Sequence, residues 1–295
     1  MNLFLEILKS VIYGVIEGIT EWLPISSTGH MILAEQVLRF GFSEDFMEMF
    51  RVVIQLGAIL AVVVLYFRKL WPFCRDNGRD TGLASHVRWP VLHLWFKILV
   101  ACLPAAVLGL LLDDWMDEHL YNSVVVAAML IVYGVAFILI ERRPRVPTTT
   151  KLSRIRYSQA LKVGGWQVLA LIPGTSRSGS TILGGMLCGM SRPAASQFTF
   201  FLAIPVMAGA SLLKLVKFFA KGNTFTMPEA VCLLVGCAVA FLVSIMAIRF
   251  LMEYVKQHTF TAFGVYRIAL GVLVLVVWAV QSLLSGAPAG VPAAS

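Results

Sequence analysis

Apolar residues run through this chain in stretches long enough to cross a bilayer, and polar residues gather between them. A spanning helix needs about 20 mostly apolar residues. Six stretches meet that length: 47–67, 90–112, 122–141, 197–219, 228–250 and 260–284. Two further segments, 3–40 and 158–190, are apolar but interrupted, the first at "LPISSTG" and the second at "IPGTSRSGS". Irregular backbone at membrane depth is tolerated only where protein buries it or it lines a cavity. Both segments are therefore expected to form re-entrant helical hairpins with their tips inside the membrane.

The order repeats: broken hairpin, three spans, broken hairpin, three spans. Three is odd, so the second half must enter the bilayer the opposite way round. The pattern predicts an all-α integral membrane protein, six transmembrane helices plus two re-entrant hairpins in an inverted-topology repeat. Such folds place their sites near the midplane, where the repeats meet. The first repeat is expected over 1–141, a basic linker over 142–157, the second repeat over 158–285 and a disordered tail over 286–295. The two tips align weakly, with Pro24 and Pro173 each three residues before a serine, Ser27 and Ser176.

Charge orients this plan. Loop 68–89 carries Arg68, Lys69, Arg75, Arg79 and Arg88, and the linker carries Arg142, Arg143, Arg145, Lys151, Arg154 and Arg156. The connection between them, "DDWMDEH", is acidic. Basic loops favour the cytoplasm, so the first hairpin is expected to open outward and the second to enter from the cytoplasm. Lys214, Lys217 and Lys221 fall on the outer side and run against this orientation.

Composition agrees with the membrane reading. The chain is 59% hydrophobic and 14% charged, whereas soluble domains are about half apolar and a quarter charged. Mean hydropathy is +0.83. The net charge of +8 sits in loops and builds no soluble basic face, so no nucleic-acid partner is expected. Five cysteines, an odd number with no CxxC pair, suggest neither a disulfide framework nor a zinc site. The N-terminus lacks the basic start of a signal peptide and is expected to remain.

The first tip, "EGITEWLPISSTGH", gathers chemistry. Glu17 and Glu21 share a helix face, and Gly14 and Gly18 let another backbone approach. Two carboxylates this close in low dielectric need a cation: a metal, or an arginine from the other hairpin. Pro24 stops the helix, and Ser26, Ser27 and Thr28 suit the start of a second one. A helix N-terminus favours phosphate. His30, three residues past Ser27, can share its face as a base beside a nucleophile. Ser-Ser-Thr after proline is also an ordinary helix cap. Glutamates on a membrane helix are harder to explain structurally, because intramembrane ionisable residues are functional by default.

The second tip, "PGTSRSGST", sets Arg177 among Thr175, Ser176, Ser178, Ser180 and Thr181, with Gly174 and Gly179 allowing tight turns. Arginine grips phosphate oxygens with two parallel N–H bonds. Hydroxyls and backbone amides complete an anion nest. Brought together, the tips fit phosphoryl transfer: Arg177 stabilising charge, Ser27 attacking, His30 moving the proton.

With "GVIEGITEWLPISSTGH", "PGTSRSGST", "FRVVIQLGAILAVVV" and "FGVYRI", the chain resembles the bacterial undecaprenyl-diphosphatase family of the bacitracin-resistance type, over roughly residues 3–280. The resemblance implies an inner-membrane enzyme that removes the terminal phosphate of undecaprenyl diphosphate, a polyprenyl diphosphate lipid. This recycles the lipid carrier of cell-wall synthesis and confers bacitracin resistance. It implies an active site open to the outer face and dependence on a divalent cation, Mg²⁺ or Ca²⁺, for which Glu17 and Glu21 are the candidate ligands. Carried over by motif, the catalytic candidates are Glu17, Glu21, Ser27, His30 and Arg177. The phosphate-binding candidates are Ser26, Thr28, Gly29, Thr175, Ser176, Ser178, Gly179 and Thr181, with Gln55 at the start of the following span. Arg51 is a further pocket candidate. Lys97, inside a span, is either a snorkelling residue or a glutamate's partner. Membrane lipids are the surrounding partners, and homo-oligomerisation is left open, as is the choice between a phosphoseryl intermediate and attack by water.

Two rivals fit parts of the pattern. A polyprenyl-phosphate transporter would also use inverted repeats, broken helices and a midplane site. The acid-phosphatase-like lipid phosphatases need a histidine soon after their Ser-Arg pair, and residues 178–257 contain none.

Overall fold

The computed structural model describes residues 2–75, 86–120, 122–143 and 146–285. Arg79, Arg145, the tail 286–295 and the side chains of Asp113, Asp114, Asp117 and Glu118 lie outside the described residues. Among the described residues there is no strand, and twelve α-helices carry the fold.

The first half holds α1 (Leu3–Thr20), α2 (Ser27–Val37), α3 (Glu44–Val53), α4 (Gln55–Leu65), the single turn α5 (Phe67–Leu70), α6 (Trp89–Leu120) and α7 (Ser123–Glu141). The second holds α8 (Tyr157–Val168), α9 (Arg177–Leu187), α10 (Arg192–Ala220), α11 (Met227–Gln257) and α12 (Thr261–Ser285). Helices α3 and α4 form one apolar span interrupted at Ile54. Six segments are long and apolar enough to cross a membrane: Glu44–Leu65, Trp89–Leu112, Ser123–Glu141, Arg192–Ala220, Met227–Gln257 and Thr261–Leu284. They coincide with the six expected stretches. Their outer faces leave Leu110, Leu111, Leu234, Leu283 and Leu284 exposed, as lipid-facing helices require.

Helices α2, α8 and α9 have 11 or 12 residues each, too short to span, and α1 folds back on α2 as α8 folds back on α9. The packing of the halves repeats. Helix α1 lies against α11, and α8 lies against the corresponding helix α6; α7 and α12 pack on each other. Glycine makes both hairpin contacts close. A Cβ on Gly14 would sit 2.7 Å from Gly236 O, and one on Gly164 would sit 2.3 Å from Ala101 O. Gly18 serves the same α1–α11 contact, where a Cβ would meet Ala240 O at 2.9 Å. Small residues are what let membrane helices approach this far.

The apolar core fills the centre with Trp22, Phe137, Phe198, Phe200, Phe201 and Phe260. A second cluster (Tyr13, Phe46, Phe50 and Phe218) locks α3 to the first hairpin. Lys214 pairs with Glu48, and Lys221 with Asp45 at 2.6 Å. Acids of α3 thus answer two of the lysines that ran against the charge pattern.

Candidate active site

Each hairpin turns on a serine. Pro24 ends the first arm, and Ser26 then takes φ 71°, ψ 109° while its hydroxyl accepts from Gly29 N–H at 3.5 Å. In the second hairpin Ser176 takes φ 69°, ψ 119° and accepts from Gly179 N–H at 3.2 Å. Among the described residues these are the only non-glycine residues with positive φ. That region costs a serine about 1–3 kcal/mol, so the surrounding contacts must hold it. The caps start α2 and α9 at the tips, so the first-turn N–H groups that the serines do not take lie there.

The structure corrects the tip alignment by one residue. Ser26, not Ser27, matches Ser176, because both occupy the same strained cap. Ser27 then corresponds to Arg177. Nine residues ahead of each cap stand Glu17 and Gln167. The two tips share the same backbone turn, with different chemistry at equal positions.

The tips meet. Ser178 Oγ donates to Leu23 O at 3.2 Å. Arg177 directs Nε (3.1 Å) and Nη2 (2.9 Å) to Glu21 Oε1, and its Nη1 donates to Thr199 O at 3.1 Å. The indole of Trp22, itself edge-on to Phe200, lies 5.7 Å from the guanidinium carbon. The side chains of Arg177 and Glu21 are only 11% and 8% exposed, so this pair escapes the solvent screening that weakens surface bridges. Ser27 Oγ donates to the other Glu21 oxygen at 3.2 Å. Glu21 therefore holds a hydroxyl of one hairpin and the guanidinium of the other. One turn back, Glu17 is buried with Oε1 unpartnered among the described residues.

His30 is not joined to Ser27. Its Nδ1 bonds Ser26 O at 2.7 Å, and its Nε2 bonds Tyr266 Oη at 2.7 Å. A carbonyl only accepts, so Nδ1 carries a proton. The ring stacks on Tyr266 with centroids 5.7 Å apart and planes 9° apart. The imidazole fixes the carbonyl of the strained cap and ties the first hairpin to α12.

Other candidates are engaged structurally. Thr181 Oγ1 donates to Arg177 O at 2.8 Å and accepts from Thr199 Oγ1 at 2.9 Å. Ser180 donates to Trp166 O. Thr175 Oγ1 is buried and unpartnered among the described residues. Thr28 and Ser27 are half-buried at the opening of α2. Gln55, half-buried at the start of α4, takes no part in the Glu21 network, and Arg51 pairs with Glu35 of α2. Lys97 lies 5.7 Å above the Tyr157 ring and pairs with no glutamate among the described residues.

Two residues went unrecognised as site residues. Arg267 of α12 is wholly buried. It donates to Pro24 O (3.2 Å) in the first tip, to Gly174 O and Thr175 O (2.9 Å each) in the second, and toward Leu130 O (3.4 Å) and Met129 O (3.5 Å) of α7. It lies 5.5 Å from the Tyr133 ring centre. A Cβ on Gly179 would meet its Nη1 at 2.9 Å, so any larger residue there would push the guanidinium. Tyr266 is the other. The signal was present: one arginine inside an otherwise apolar span is rarely idle.

The family model described as bacitracin resistance protein BacA matches residues 10–273. The chain belongs to the BacA family. Curated relatives are close to it over almost their whole length. One from Enterococcus faecalis is 56% identical over 282 residues, covering 94% of this chain and 99% of the relative. One from Streptococcus thermophilus is 56% identical over 279 residues, covering 94% and 95%. A third, from Lactococcus lactis subsp. cremoris, is 53% identical over 284 residues, covering 95% and 100%. All three are named undecaprenyl-diphosphatase. The matched BacA region contains both tips and Arg267.

Proposed function

We propose that this membrane protein hydrolyses undecaprenyl diphosphate to undecaprenyl phosphate and inorganic phosphate, at the junction of the two tips. The observation that carries this is the Glu21 carboxylate, with Ser27 on one oxygen and Arg177 on the other. With no substrate present the guanidinium and carboxylate neutralise each other. A diphosphate competes for the same guanidinium face, since arginine binds phosphate oxygens with the same fork. As Arg177 turns to the terminal phosphate, Glu21 is freed to take the Ser27 proton. Ser27 Oγ forms a bond to the terminal phosphorus, and the bridging P–O bond breaks with its electrons on undecaprenyl phosphate. Water then attacks that phosphorus, its hydrogens staying on the inorganic phosphate, and Glu21 returns its proton to Ser27 Oγ as the P–O bond to serine breaks. The N–H groups opening α2 and α9 hold the phosphate oxygens, and Arg177 offsets charge on the equatorial ones. His30 keeps the Ser26 carbonyl, and with it the tip, in place.

A divalent cation, Mg²⁺ or Ca²⁺, would complete the site, held by Glu17 and Glu21. Glu17 and Glu21 together with substrate oxygens fit its needs, because Mg²⁺ is typically held by one or two carboxylates and phosphates. The support is the unpartnered buried oxygen of Glu17. Such an ion supplies charge neutralisation for the diphosphate. No group of three or more His, Cys, Asp or Glu side chains that could hold a metal occurs among the described residues, so the protein would supply two carboxylates at most.

The short hairpins are re-entrant, the halves form an inverted repeat, and the protein sits in the bacterial plasma membrane with the site open to the outer face. The basic loop and linker support this orientation. The product is the carrier lipid for peptidoglycan, and its recycling is what resists bacitracin.

The test is phosphate release from undecaprenyl diphosphate by detergent-purified protein, with and without chelator, beside Ser27→Ala. Multiple turnover that chelator reduces and Ser27→Ala abolishes supports the reading. The repeated packing of the halves also suits a transporter. Saturable lipid binding without phosphate release would support that instead.

A further inference from the structure

A cavity of about 600 Å³ lies away from the tips, among the ends of α7, α9, α10 and α11. The α7 span ends at Glu141, the α10 span begins at Arg192 and the α11 span ends at Gln257. The cavity is thus at the level where the apolar spans stop, the boundary between hydrocarbon and headgroups. None of its lining residues belongs to the Glu21–Ser27–Arg177 network.

Its walls are built. The strap after α7 is held against the α9–α10 turn: Thr148 N–H and Thr149 N–H donate to Gly189 O at 2.9 and 3.0 Å, and Ser191 N–H returns a bond to Thr149 O at 2.9 Å. Gln159 braces the strap, donating to Cys188 O at 2.9 Å and to Thr149 Oγ1 at 3.2 Å. Gly189 has φ +87°, and a Cβ there would stand 2.6 Å from Thr148 Oγ1. Val146 and Pro147 of the strap stand exposed at its mouth, and Ile140, Leu187 and Val255 line its apolar side.

The polar rim is cationic. Arg143, Arg192 and Lys256 line it against a single carboxylate, Glu141. That carboxylate is satisfied: Arg192 Nε donates to Oε1 at 2.8 Å, Arg192 Nη2 donates to Oε2, and Phe260 N–H donates to Oε1 at 2.9 Å. Lys256 makes an exposed pair with Glu253 at 2.7 Å, a contact worth little in water and easily exchanged. The N-terminus of the 29-residue α10 adds its dipole to the same rim.

We propose that this cavity binds one anionic diacyl phospholipid, with the phosphate on Arg143 and Lys256 and the upper acyl chains against the apolar walls. Positive charge at headgroup depth selects an anion, and the apolar lining and volume select an amphiphile over a free phosphate. The site is independent of the proposed hydrolysis.

The experiment reconstitutes the protein in bilayer nanodiscs of equal phosphatidylglycerol and phosphatidylcholine. Native mass spectrometry then counts the lipids that each variant retains on release from the disc. Wild type should retain one phosphatidylglycerol in preference to phosphatidylcholine. Arg143→Gln with Lys256→Gln should lower that preference about tenfold. Leu187→Trp, which narrows the apolar part of the cavity and leaves the charges, should also weaken retention of the lipid. Both variants should release phosphate from undecaprenyl diphosphate in detergent as wild type does, which shows them folded. Equal retention of the two lipids by wild type would overturn the proposal. So would folded variants that keep the preference, or displacement of phosphatidylglycerol by added polyprenyl phosphate or inorganic phosphate at equal concentration.

Discussion

Arg177 and Glu21 lie 156 residues apart in sequence, and in the fold two guanidinium nitrogens of the one share a single carboxylate oxygen of the other. The two tips are thereby joined through their charges, and the remaining Glu21 oxygen is left for Ser27. Replacing Arg177 by lysine keeps the charge and loses the planar fork. Turnover should fall about 10²-fold or more, the scale of removing one preorganised donor from a developing anion. Steady-state phosphate release measures it, and near-normal turnover would remove the phosphate-clamp role.

Glu17→Gln tests the cation. The substitution keeps shape and removes the carboxyl that could charge to meet a cation beside Glu21. The concentration of Mg²⁺ or Ca²⁺ giving half-maximal activity should rise about 10-fold or more, since carboxylate charge sets affinity for hard cations. A metal titration superimposable on wild type would withdraw Glu17 as a ligand.

Tyr266→Phe removes the hydroxyl on His30 Nε2 and leaves the stack. One neutral hydrogen bond is worth about 1 kcal/mol. If His30 holds the strained cap, kcat should drop about fivefold, with a comparable loss in thermal stability. Were His30 instead the proton carrier for Ser27, the pH dependence of kcat would shift with little change in melting temperature. The pair of measurements separates the roles.

Arg267→Met should be the most disruptive of these substitutions. Five backbone carbonyls from three elements lose their cationic donor inside the protein. Hydrogen bonds to charged groups contribute about 1.5–3 kcal/mol each, so a loss of several kcal/mol is expected, though the bonds will not add in full. The melting temperature in detergent should fall by ten degrees or more, in the range of about 2–4 °C per kcal/mol for chains of this size. Activity should fall with it, because the tips separate. An unchanged melting temperature would show that α7 and α12 hold the tips without Arg267.

Much of the architecture could be read along the chain. Each of the six spans is a property of about twenty consecutive residues, and transfer to hydrocarbon sums over those residues whatever packs beside them. The hairpin breaks follow from Pro24 and from the Pro173–Gly174 pair, which act locally. Glu17, Glu21 and Arg177 stood out because charge inside an apolar run is costly wherever it falls. The hydroxyls were less legible. Thr181 and Ser178 read as phosphate ligands, yet they bond the Arg177 and Leu23 carbonyls. A hydroxyl's partner depends on what the fold brings within about 3 Å.

The sequence by itself determined the six spans, the two interrupted hairpins and the residue types that gather at each tip. Only the tertiary structure decided that Ser27 takes the position of Arg177 in the other half, because backbone dihedrals, not the distance from proline, define the cap. It alone turned His30 toward Tyr266 and away from Ser27, and drew Arg267 to Pro24, 243 residues away. Hydrophobicity accumulates over neighbouring residues, so it survives in one dimension. A hydrogen bond needs two groups at one distance and angle, and that exists only after the helices have packed.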